Sequence, residues 1–77
     1  MNKERRYRLL DATSQLDEAI DTIREVIDDE QEAFDNMPEA FQNGVRGDAM
    51  TEAIDKMEEF VSEIERIQGD IEEFGRG

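Results

Sequence analysis

Residues 9–35, LLDATSQLDEAIDTIREVIDDEQEAFD, decide the fold, because two rows with the same helical period run through them. Leu9, Thr13, Leu16, Ile20, Ile23, Ile27, Glu30 and Phe34 recur every three or four residues and are mostly apolar, which predicts one greasy stripe along an α-helix. Ala12, Ala19, Val26 and Ala33 flank that stripe at intervals of seven and widen it from a narrow coiled-coil seam towards a bundle face. Six carboxylates, Glu18, Asp21, Glu25, Asp28, Glu32 and Asp35, keep the same period on the far side. With no Gly or Pro to interrupt it, the helix is expected to run from about residue 3 to about residue 35, roughly 50 Å at a rise of about 1.5 Å per residue.

Beyond this helix the chain is punctuated over 36–48. Asn36 is positioned to cap a new helical turn, Pro38 suits a first turn where its missing N–H is harmless, and Glu39 completes a capping-box spacing. A short helical turn is expected over about 37–42, followed by backbone freedom at Gly44 and Gly47 and an N-cap at Asp48. A second helix is then expected over about 49–73, ahead of a short C-terminal tail. Its seam is Met50, Ile54, Met57, Val61, Ile64, Gln68 and Ile71, flanked every seven residues by Ala53, Phe60, Ile67 and Phe74. The predicted fold is all-α: one domain over 1–77, an antiparallel helical hairpin with a helical turn in its connection.

At 77 residues the chain buries only about 60 % of the surface its unfolded form exposes, so the core needs a supplement. Cys and His are both absent, which removes disulfides and the usual thiolate and imidazole metal ligands and leaves oligomerisation. One hairpin also covers only part of two broad stripes. A four-helix bundle or higher homo-oligomer is therefore expected, with Leu16, Ile20, Ile23, Ile27, Ile54, Met57, Val61 and Ile64 as its seam.

The 22 acidic and 9 basic residues give a formal charge of −13, which disfavours direct nucleic-acid or anionic-membrane binding and favours a basic protein partner. Lys3, Arg5, Arg6 and Arg8 crowd the start, so the body of the chain is more acidic than the total implies. No apolar run approaches the roughly 20 residues of a membrane span, and the start lacks the apolar centre of a secretion signal, so a cytoplasmic location is expected.

Charged positions opposite a bundle seam ordinarily face water, but a generic solvated face mixes signs. Here only Arg24 can relieve the acidic row, and like charges at i,i+4 cost about 0.2–0.5 kcal/mol per pair. The six carboxylates are accordingly the first candidates for partner binding. Arg5, Arg6, Tyr7, Arg8, Phe41 and Arg46 are secondary candidates, the basic start because cations there oppose the helix dipole unless Asp70, Glu72 and Glu73 neutralise them from the second helix. Phe34, Met37, Phe41 and Val45 are expected to plug the turn end of the bundle.

No catalytic residue, cofactor site or metal site is expected. Ser14, Ser62, Thr13, Thr22 and Thr51 have no recognisable base beside them, Asn43–Gly47 lacks the Lys-Ser/Thr of a phosphate loop, and Asp28, Asp29, Glu30, Glu32 and Asp35 lack the glycine turn of a calcium loop.

Asp29–Glu63, DEQEAFDNMPEAFQNGVRGDAMTEAIDKMEEFVSE, resembles a family of small acidic helical proteins of bacteriophages and prophages. The resemblance is carried by the turn from Glu32 to Glu39, the Arg46-Gly47-x-x-Met50 segment and the helix start Ala53–Glu58, about half of the chain. It implies a non-enzymatic protein acting in the cytoplasm of a bacterial host, and one expectation is inhibition of a nucleic-acid-binding or defence protein through a nucleic-acid-like surface. A self-assembling structural or adaptor module is the alternative, and a small-ligand sponge using the basic start is a further one.

Overall fold

A computed structural model describes residues 1–77 as three helices and no strands: α1 (Lys3–Asp35), α2 (Glu39–Gln42) and α3 (Val45–Arg76). The long helices α1 and α3 lie side by side as an antiparallel hairpin with extents of 59 × 15 × 11 Å. Asn2 starts α1 by accepting the Arg5 backbone N–H on its side-chain oxygen at 2.9 Å, which satisfies one of the orphan donors of a helix N-terminus.

The seam forms within one chain. Ile20, Ile54 and Val61 are buried between the helices, with Ile20 only 4 % exposed, while Leu16, Ile23, Ile27, Met57 and Ile64 are half-buried beside them. Two polar seam residues meet towards the open end of this contact. Gln68 Nε2 donates to the Thr13 carbonyl at 2.9 Å and to Asp17 Oδ1 at 2.7 Å, and the Thr13 hydroxyl donates to the Leu10 carbonyl at 2.6 Å. A shift of α3 along α1 breaks the two Gln68 bonds, so they favour one register where apolar contacts alone tolerate slippage.

The connection differs from its sequence reading in three respects. Asn36 ends α1 rather than opening a new turn, its backbone N–H reaching the Glu32 carbonyl while the Met37 N–H reaches that of Phe34, and Pro38 occupies the N-cap of α2. The second long helix begins at Val45 and continues to Arg76, longer at both ends than 49–73; Gly44 is its N-cap, and Asp48 sits in the first turn as a favourable charge near the helix N-terminus. Gly47 is thus helical and buried, and its role is close approach rather than backbone freedom. A Cβ there runs into the Gln42 backbone carbonyl.

Gln42 holds the corner together, because its Nε2 donates to the Phe34 carbonyl at 3.0 Å and the Met37 carbonyl at 3.1 Å. The expected apolar plug is only half formed: Phe34 and Met37 are half-buried, but Phe41 is 57 % and Val45 88 % exposed. Starting α3 at Val45 turns that side chain away from the seam.

Gly47→Ala is expected to destabilise the hairpin by about 1–3 kcal/mol, the usual range for forcing extra atoms into a tight contact. Thermal denaturation followed by circular dichroism measures this. An alanine variant as stable as the parent contradicts the close approach of α2 to α3.

Candidate functional site

The acidic row is built by helix period alone. Glu18, Asp21, Glu25, Asp28, Glu32 and Asp35 are all exposed and follow one side of α1 for about 25 Å at a rise of about 1.5 Å per residue. Four ion pairs occur in the molecule, Arg24–Glu65 at 3.6 Å, Lys56–Glu59 at 3.6 Å, Arg66–Asp70 at 3.5 Å and Arg76–Glu72 at 3.9 Å, and none includes a residue of the row. The only neighbour that a row carboxylate engages through its side chain is Gln31, whose amide donates to Asp35 Oδ1 at 3.0 Å.

Arg24 was the one cation expected to relieve the row, and it does not pair with it. Its guanidinium reaches across the seam to Glu65 on α3, four residues beyond the buried Val61, so the cation serves the hairpin contact. Around this pair lies an open groove of about 350 Å³ lined by Arg24, Ile27, Asp28, Glu58, Val61, Ser62 and Glu65. Row member Asp28 therefore shares a groove with Glu58 and Glu65, and the anionic surface of α1 continues onto α3. The seven-residue repeat Glu58, Glu65, Glu72 carried this signal in the sequence, but only the pairing of the helices shows which side of the hairpin it joins.

The back of α3 is less uniform. Glu52, Asp55, Glu63 and Glu73 are exposed without an ion-pair partner, whereas Glu59 and Asp70 are taken by Lys56 and Arg66 on the same helix.

The secondary candidates fall into two groups at opposite ends of the hairpin. Arg5, Arg6, Tyr7 and Arg8 lie at the start of α1, while Phe41 and Arg46, both exposed, lie at the turn. They do not form one site. The basic start sits against the end of α3 as the hairpin geometry requires, with Leu10 against Gly75 and the Arg6 guanidinium at Gly77. The expected neutralisation by Asp70, Glu72 and Glu73 is corrected: Asp70 and Glu72 pair with Arg66 and Arg76 of α3, and Glu73 makes no ion pair. Arg6 instead donates from Nε to the Met1 carbonyl at 3.3 Å, and the Lys3 ammonium lies 5.6 Å from the ring centre of the exposed Tyr7.

No group of three or more carboxylates is arranged to hold a metal ion, and no helix is long and apolar enough to cross a membrane. Neither a family model, nor a curated protein, nor a solved structure matches the chain.

Uncompensated like charges along one helix face make stability depend on ionic strength. Raising salt from low concentration is expected to raise the thermal midpoint, because screening shortens the range of repulsion to about 10 Å at 0.1 M and about 3 Å at 1 M. A midpoint that falls with sodium chloride means that the surface ion pairs outweigh the repulsion.

Proposed function

We propose that the protein is a non-enzymatic, phage-type interaction module that assembles with copies of itself and presents its acidic side to a basic host protein. The partner class is a nucleic-acid-binding or defence protein, whose activity the module inhibits by occupying the surface that otherwise takes phosphates. One observation supports this above the others: six exposed carboxylates on one helix have no ion-pair partner, although the chain carries nine basic residues.

Rows spaced three and four residues apart put one charge about every 5 Å of helix axis. A DNA strand carries one about every 3.4 Å. A lysine- and arginine-rich groove that gathers phosphates is drawn to such a row by the same long-range attraction, and its association is faster at low salt.

The alternative, a structural or adaptor module whose acidity serves solubility, draws on a different observation, the exposure of Phe60, Ile67 and Phe74 along α3. Capture from bacterial host lysate separates the two. Recovery of a basic DNA- or RNA-processing protein favours inhibition, and recovery of phage particle components favours the structural role.

A quantitative test leaves the seam untouched. Replacing Glu25 and Glu32 with Gln and Asp28 with Asn removes three charges at nearly constant shape, so the fold is expected to be as stable or slightly more stable. Association with the captured partner is expected to slow by roughly tenfold or more at low salt, with the difference shrinking as salt is added. If stopped-flow mixing finds unchanged association and affinity across salt concentrations, the acidic side is solvated scaffolding.

A further inference from the structure

The two broad sides of the hairpin are chemically different. The Arg24–Glu65 pair and the Gln68–Asp17 hydrogen bond mark one of them, the side that carries the groove. Asp17 and Arg24 each stand four residues after a buried seam residue, Thr13 and Ile20; Glu58 and Glu65 stand four after Ile54 and Val61. In an antiparallel pair, a two-fold axis perpendicular to the pair exchanges the helices without turning either side over. Residues at matching offsets from the two seams therefore share a side. The rows standing one residue before the seams, Ala12, Ala19, Val26 and Ala33 on α1 and Ala53, Phe60, Ile67 and Phe74 on α3, must share the opposite side.

The register sets these rows level. Leu10 meets Gly75 and Asp17 meets Gln68, which places Ala12 within about one residue of level with Phe74, and likewise Ala19 with Ile67 and Val26 with Phe60. Each of these three levels pairs a smaller residue of α1 with a larger one of α3, and at the turn end Ala33 and Ala53 are both small. Val26, Phe60, Ile67 and Phe74 are 47, 43, 43 and 55 % exposed, so nothing within the chain covers this side.

We propose that this side binds a second copy of the chain about a two-fold axis running along the hairpin, giving an antiparallel four-helix bundle. The proposal rests on the self-assembly part of the reading above and specifies its face and symmetry. A side 59 Å long and 15 Å wide spans about 900 Å² in projection, against about 800 Å² per partner in a standard stable interface. A two-fold along the hairpin lays each α1 on the partner's α3, so every Phe or Ile faces an Ala or Val. A two-fold across the hairpin stacks large on large and small on small, and the helices cannot keep even spacing.

Charge selects the same side. The border of this side carries the uncharged Gln15 and Thr22 with Asp29 on α1, and Lys56, Glu63 and Asp70 on α3, whereas the whole acidic row and the Glu58 and Glu65 carboxylates lie away from it. Two chains of −13 approach with least repulsion when those groups point outward.

Sedimentation equilibrium tests the assembly, and cross-linking tests its symmetry in a chain that has no cysteine of its own. The parent is expected at twice 8.9 kDa. Ile67→Glu is expected to raise the dissociation constant at least about a hundredfold, since it buries an unpaired charge. Glu58→Gln, on the opposite side, is expected to leave the dimer intact. Mixing an Ala19→Cys variant with an Ile67→Cys variant and oxidising gently is expected to yield a covalent dimer that neither variant yields alone, a readout that stands even if Ile67→Glu fails to fold. A monomeric parent overturns both this proposal and the self-assembly reading. A dimer that survives Ile67→Glu, or cysteine variants that link to themselves as well as to each other, overturns the face or the symmetry and leaves self-assembly standing.

Discussion

Two helices lying side by side can hide only one stripe of each, and in this hairpin that stripe contains just three buried apolar side chains, Ile20, Ile54 and Val61. Burying such a side chain contributes about 1.5–3 kcal/mol, while ordering each residue costs about 1–2 kcal/mol of backbone entropy. The half-buried seam residues and the backbone ladders of two long helices supply the remainder, and the margin is small. The hairpin is therefore sensitive to anything that adds or removes a little at the seam. The Gln68 amide matters for this reason: it adds direction to a contact whose apolar part is nearly uniform along its length.

The architecture was legible because it depends on period. The 3–4 spacing from Leu9 to Phe34 gave α1 its limits, and a stretch free of Gly and Pro left nothing to end it early. The corner was less legible, because its geometry depends on which groups approach one another. Gly44 and Gly47 read alike in sequence, yet one caps α3 and the other lies inside it against Gln42. Asp48 has the chemistry of an N-cap and ends in the first turn, since Gly44 starts the helix four residues earlier. Phe41 and Val45 looked like a plug for the same reason that any apolar residue near a turn does. Their exposure follows from a helix start that period alone cannot fix.

The charged surface divides along the same line. The acidic row could be counted from sequence, and the structure leaves it free of ion pairs. Where Arg24 goes could not be counted, because its position is equally compatible with the row beside it and with the neighbouring helix. Its reach to Glu65 leaves the row without a counter-charge and ties α1 to α3 on the groove side. The separation of acidic and apolar character onto opposite sides arises from chain reversal, which brings together rows about thirty residues or more apart. Neither helix displays it alone.

The close approach at Gly47 also bears on how the chain can vary. Val45, two residues earlier, points almost wholly into solvent and can be exchanged for most side chains with little effect on the fold. At Gly47 every chiral residue brings the same first carbon into the Gln42 backbone, so the site discriminates by the presence of a Cβ and is indifferent to what lies beyond it. A library saturating the corner would show one nearly empty column beside one nearly full, and descendants of this chain could drift freely in the second while the first stayed fixed.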